Sequence, residues 1–166
     1  MNRKSAGFTL IELMVAVGIA AIVARIGFDI YIQYIMRANR AVGRTALVSL
    51  AAKEEVQALQ NPGTGYATDF TTLIGLPASG GTSVTSYYID QNGTASTSST
   101  GGIYQISFSG TPSGSAYVLQ AVAQGVQAKR DTACTTLTLS STGLKQAQTS
   151  AGVAVSAANL PNCWEK

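Results

Sequence analysis

Histidine is absent from this 166-residue chain, which removes the usual general base near neutral pH and the commonest metal ligand. No Ser-His or Cys-His pair and no histidine-rich metal site can be built from it. Charge is scarce as well, with Asp, Glu, Lys and Arg making up 11% of residues. No convergent acid–base pair stands out, so the chain is not read as an enzyme and no cofactor is expected. Cysteine is limited to Cys134 and Cys163; without His or further Cys a zinc site is not expected. Of the 4 prolines none precedes Pro62, so the first third of the chain carries no built-in helix break.

What is present begins with Gly7-Phe8-Thr9-Leu10-Ile11-Glu12-Leu13, which follows a short basic leader holding Arg3 and Lys4 and opens an apolar stretch reaching Ala24. A carboxylate inside a segment bound for a membrane is unfavourable by about 2.5–3.5 kcal/mol at the bilayer centre, and the default reading of such a group is functional, with a partner. Cleavage after Gly7 would create a cationic partner for Glu12, the new α-amino group of Phe8. An ordinary secretory signal places its small-residue cleavage site after the apolar region, not before it.

The segment Gly7 to Met14 resembles the processing site of type IV prepilins and related pseudopilins. The resemblance implies that a prepilin peptidase cuts after Gly7 and N-methylates Phe8, and that Glu12 is the assembly carboxylate. It also implies a pilin fold: α+β, with one long N-terminal helix on a small antiparallel sheet and a disulfide-closed C-terminal loop. The expected organisation is a leader at 1–7, a transmembrane or filament-core half-helix at 8–30 and an amphipathic half-helix at 31–60. A helix-to-sheet loop region at 61–102 follows, then the sheet and C-terminal disulfide region at 103–166. Losing the leader takes Arg3 and Lys4, leaving 9 cations against 8 carboxylates, so the whole-chain net charge of +3 is no argument for a nucleic-acid partner.

Phe8 to Ala24 is short for a span, which needs about 20 apolar residues, but Ile26-Gly27-Phe28 extends it past Arg25. Tyr31 and Tyr34 fall where interfacial aromatics belong, and the basic leader keeps the N-terminus cytoplasmic. Pilins commonly carry proline where this chain has Asp29, and a small apolar residue where it has Arg25. These two are four apart, on one helical face, and are read as an intrahelical ion pair. A helix straighter than in most pilins is expected here.

The helical pattern continues to about Gln60, where Pro62-Gly63 stops it. Ile35, Val42, Ala46 and Leu50 form the stripe expected to pack on a domain. Arg37, Arg40 and Arg44 form a second stripe. Some minor pilins of the resembled family are DNA-uptake receptors, so this stripe is a candidate phosphate contact; a solvated face, or ion pairs to a neighbouring subunit, is the preferred reading.

In the head, Tyr66 to Leu73 reads as a short, partly packed turn and Thr85 to Ile89 as a short strand. Gln91 to Gly102 reads as an exposed low-complexity stretch with an Asn92-Gly93 turn. Asn92-Gly93-Thr94 also matches a glycosylation sequon, but the turn reading is preferred. Ile103 to Phe108, Tyr117 to Val122 and Thr135 to Ser140 read as three better strands, with Pro112 and Gly114 marking the turn between the first two. Asp131, beside Lys129 and Arg130, reads as a turn residue or surface pair. The pattern from Tyr117 through Asp131, Cys134, Leu137, Gly143 and Cys163-Trp164 is similar to the C-terminal half of PilE-like minor pilins. That likeness implies a Cys134–Cys163 disulfide closing the C-terminal loop.

The function read from these features is a structural subunit, a minor one, of a type IV pilus, assembled through its apolar helix and Glu12. The expected partners are other pilin subunits, the prepilin peptidase, the inner-membrane assembly machinery and the membrane itself; DNA is the less favoured partner. The expected location is the inner membrane as a single-pass precursor, then the extracellular filament, with the 78–102 stretch as its contact surface. The alternatives are a type II secretion pseudopilin, disfavoured by the cysteine pair, and a DNA-binding minor pilin of an uptake pilus.

Overall fold

A computed structural model describes residues 8–76 and 82–165; the leader with Gly7, and part of the 78–102 stretch, lie outside the described residues. The chain divides into two compact units, Met1–Ile35 and Met36–Lys166.

The first unit holds the opening of α1, a single α-helix over Leu10–Gln60. The run Thr9-Leu10-Ile11-Glu12 sets its start. The Glu12 backbone N–H donates to Thr9 Oγ1 at 3.3 Å, and the first helical bond runs from Leu13 N–H to the Thr9 carbonyl. Thr9 thus occupies the N-cap and satisfies one of the helix's orphan donors. Beyond it Leu10, Ile11, Leu13, Met14, Val15, Val17, Ile19, Ile22 and Val23 are all exposed. This is the helix whose length and composition suffice to cross a membrane.

The second unit begins with the rest of α1 and continues through α2 (Thr71–Ile74), β1 (Ser86–Ile89), β2 (Ala95–Ser96), β3 (Tyr104–Phe108), β4 (Val118–Ala123), α3 (Gly125–Arg130), β5 (Thr136–Ser140), β6 (Lys145–Gln148) and α4 (Leu160–Trp164). The strands form one antiparallel sheet in the order β2-β1-β3-β4-β5-β6. The three better strands fall where the sequence places them, but the sheet has twice as many. β2 is a hairpin return from β1 over the Asn92-Gly93 turn, where Gly93 takes φ 81°. β6 pairs Ala147 with Leu137 and Lys145 with Leu139.

Alternation sets the inner face. Leu119, Ala121 and Ala123 of β4 point inward with Tyr104 and Ile106 of β3, Tyr87 and Ile89 of β1, and Leu137 and Leu139 of β5. Leu47 and Leu50 of α1 belong to the same core. The stripe that α1 buries is Asn39, Gly43, Leu47, Leu50 and Glu54, at spacings of four, four, three and four. This corrects the expected stripe: Leu50 is shared, whereas Ile35, Val42 and Ala46 are only half-buried. Gly43 explains the shift, because the Tyr104 ring lies against the helix backbone there and a Cβ would meet it at 3.2 Å.

The 61–76 segment is packed more deeply than a partly packed turn. Phe70 is fully buried, stacked on Phe108 with ring centroids 4.5 Å apart and edge-on to Tyr87 at 5.3 Å. Gly65, at φ 71°, passes so close to Gly114 that a Cβ would overlap that residue's carbonyl oxygen.

Candidate functional site

The N-terminal candidates lie in the first unit. Phe8 and Glu12 are exposed, and the capping bond at Glu12 uses its backbone N–H. The carboxylate is left free to meet a cation outside the subunit. Arg25 Nε lies 3.9 Å from Asp29 Oδ2, with both side chains exposed. Gly7 is outside the described residues.

In the second unit α1, α3 and the C-terminal loop converge on Asp131, the residue following α3. Its carboxylate is 1% exposed and is gripped from both sides by Arg40: Nε donates to Oδ2 and Nη2 to Oδ1, each at 2.6 Å. The third guanidinium nitrogen, Nη1, donates to the Asn162 carbonyl at 3.0 Å. Gln127 Nε2 donates to Asp131 Oδ2 at 3.0 Å, and Asn39 Nδ2 donates to Gln127 Oε1 at 3.0 Å. The Cys134 N–H donates to Asp131 Oδ1 at 3.2 Å. One buried carboxylate therefore ties α1 to α3, to the loop ahead of β5 and to the segment entering α4. The bidentate fork is the geometry in which a buried pair offsets its desolvation. The hydrogen bond to Asp131 raises the Arg40 pKa above its ordinary value, against the opposing effect of burial.

Two sequence expectations are corrected here. Asp131 is no surface pair or simple turn residue, and Arg40 is no free member of an exposed stripe. Composition hides this, because a lone Asp beside Lys129 and Arg130 looks locally satisfied. Its partner lies 91 residues away, beyond the reach of any spacing rule. Arg37 is exposed and Arg44 half-buried; burial first, and the like charge of Arg40 second, lower the Arg44 pKa.

The disulfide joins Cys134 to Cys163 across a sequence separation of 29. It pins α4 beside the loop that carries Asp131, and Trp164 follows directly. The Trp164 indole N–H donates to the Gln146 carbonyl at 2.9 Å, so the last helix is laced to β6.

A second buried carboxylate was not singled out by the sequence. Glu54, fully buried on α1, accepts the Ala67 N–H through Oε2 at 2.9 Å, while Oε1 has no hydrogen-bond partner. Burial raises its pKa, opposed by the Ala67 bond. Of the carboxylates in residues 36–165, Asp131 and Glu54 are thus enclosed, leaving Glu55, Asp69, Asp90 and Glu165 at or near the surface. Against these stand Arg37, Arg44, Lys53, Lys129, Arg130 and Lys145. The head's accessible charge is therefore more basic than its composition.

A long helix with an exposed apolar first half, followed by a packed helix–sheet head with a disulfide-closed C-terminal loop, defines the type IV pilin class. Two family models match the chain and agree with that architecture: residues 2–24 match the prokaryotic N-terminal methylation motif, and residues 30–138 match the type IV minor pilin ComP, DNA uptake sequence receptor. The second match covers more than half of the chain, which therefore belongs to the ComP family of type IV minor pilins. A search of curated proteins returned no match. The protein is a minor pilin of a type IV pilus, in a family whose members are structural subunits. Its methylation motif and apolar helix fit a membrane-anchored precursor that is assembled into a pilus.

Proposed function

We propose that this minor pilin serves DNA uptake, presenting the basic surface of its head to duplex DNA from within the filament. The observation that carries the reading is the match of residues 30–138 to the DNA uptake sequence receptor, which moves DNA from the less favoured partner to the first. The surplus of accessible cations left once Asp131 and Glu54 are enclosed supports it, since phosphate neutralisation dominates the affinity of such contacts. Processing belongs to the same proposal: cleavage after Gly7, methylation of Phe8 and docking of Glu12 on a neighbouring subunit's Phe8 amine, from the inner membrane outward. The motif match spans these residues.

The test is retention of duplex DNA by the mature full-length subunit in detergent micelles across a salt series. Affinity should fall linearly in log–log form, with a slope near −0.9 per phosphate neutralised. Retention no greater than that of a micelle-only control would overturn the reading.

A further inference from the structure

The Arg44 side chain opens onto a groove of about 420 Å³ between α1 and the corner where β6 meets α4. Thr45 and Ser49 of α1, Lys145 at the start of β6 and Trp164 at the end of α4 share its lining, which contains no carboxylate. We propose that this groove seats a backbone phosphodiester of bound duplex DNA, held between Arg44 and Lys145. The proposal rests on the DNA-uptake reading and deepens it by naming the contact and its chemistry.

The two neighbouring arginines differ in what they have been given. Arg40 is saturated by Asp131 and Asn162. Among the described residues Arg44 has no carboxylate within ion-pair distance, and neither has Lys145. A half-buried guanidinium with no counter-charge is only partly solvated, an unfavourable state that an incoming anion relieves. The lowered Arg44 pKa has the same origin, burial and the adjacent Arg40, and a bound phosphate would reverse it. Two cations with two hydroxyls nearby match the donors a phosphodiester accepts. At about 30 Å³ per water the groove holds such a group with part of its hydration shell.

Trp164 excludes a different reading. Lys145 Nζ lies 5.5 Å from the ring centroid, the indole N–H is taken by Gln146, and the residue is 8% exposed. The ring is a floor that positions Lys145 through a cation–π contact; it is no platform on which a base could stack. Contact here is with the backbone and carries no sequence information. Because Cys163 precedes Trp164, the disulfide that pins α4 also sets the floor.

The experiment compares the mature full-length subunit in detergent micelles with Arg44→Gln, Lys145→Gln and the double variant, each with an unchanged thermal midpoint, on duplexes of unrelated sequence. The double variant should lower the log–log salt slope by about 2, near 1 per cation, and weaken all duplexes alike. Trp164 is the chain's single tryptophan, so its emission reports on the groove. It should change on adding DNA to the wild type and not to Lys145→Gln. If the wild type retains DNA and the double variant keeps its slope, the groove is wrong while the uptake reading stands. If the wild type retains none, the reading fails first. Two further results overturn the proposal: loss confined to one sequence, which means base contact, or unchanged retention with loss of the double variant from filaments, which means the groove takes a neighbouring subunit's carboxylate.

Discussion

Arg40 and Arg44 sit one helical turn apart on the same helix, and what separates them is whether a carboxylate faces them. Asp131 faces Arg40, so the pair is structural. Removing one partner of a buried pair is strongly destabilising because the other charge is left enclosed. Arg40→Ala should lower stability by about 3–5 kcal/mol, read as a fall in thermal midpoint. Arg40→Lys should recover only part of this, since an ammonium cannot span both carboxylate oxygens. Glu54 behaves oppositely. Its folded pKa lies above the unfolded value because of burial, so the folded state holds the proton more tightly. The group opposes folding least at acidic pH, and stability falls as pH rises from the unfolded carboxylate range through the folded value. Glu54→Gln keeps an acceptor for the Ala67 N–H and gives an uncharged side chain. In urea unfolding at a series of pH values, its advantage over the wild type should grow with pH; a constant difference would mean that Glu54 is ionised in the fold.

At the scale of elements, the C-terminal loop depends on one covalent link. α4 has five residues, too few to persist alone, and is held by the disulfide, by Arg40 on the Asn162 carbonyl and by Trp164 on β6. Closing a loop of that length stabilises by roughly 3.5 kcal/mol in the chain-entropy model, an upper figure in practice. Cys134→Ser should therefore lower the midpoint and shift Trp164 emission to the red, while processing at Gly7 proceeds. An unshifted emission would show that the hydrogen bond to β6 suffices. The helix stripe shows why element positions were easier to read than element faces. Counting apolar residues points to Ile35, Val42, Ala46 and Leu50, but the face that packs includes Asn39 and Glu54, whose polarity is satisfied by Gln127 and Ala67. It also includes Gly43, whose missing side chain admits a tyrosine ring. β2 and β6 were equally hidden. Lys145-Gln146-Ala147-Gln148 has no β-branched residue and is a strand because β5 offers it an edge.

For the whole molecule, the informative asymmetry is between an N-terminal unit with nothing to bury itself in and a head with a complete core. Exposed Leu10, Ile11, Leu13 and Met14 require lipid before assembly and other helices after it. The free carboxylate of Glu12 supplies a registration charge: an ion pair in an apolar bundle specifies position more than it adds stability. Glu12→Ala should still be cleaved and inserted but enter filaments poorly, and normal incorporation would refute the role. Mass spectrometry of sheared filaments should find the peptide Phe8–Arg25 with a methylated N-terminus. Finding only intact Ser5–Arg25, confined to membranes, would mean an unprocessed anchor.

The sequence by itself determined what depends on neighbours along the chain: the prepilin motif, the 51-residue helix and its stop before Pro62, three of the six strands, and the absence of histidine chemistry. These follow from periodicity, turn residues and side-chain chemistry within a few positions of one another. Only the tertiary structure decided which arginine is spent on Asp131 and which remains open, where Glu54 is enclosed, and that Lys145 and Trp164 meet α1 at one groove. Each of those depends on residues 13 to more than 100 positions apart, brought together by sheet register and the disulfide, which local spacing does not encode.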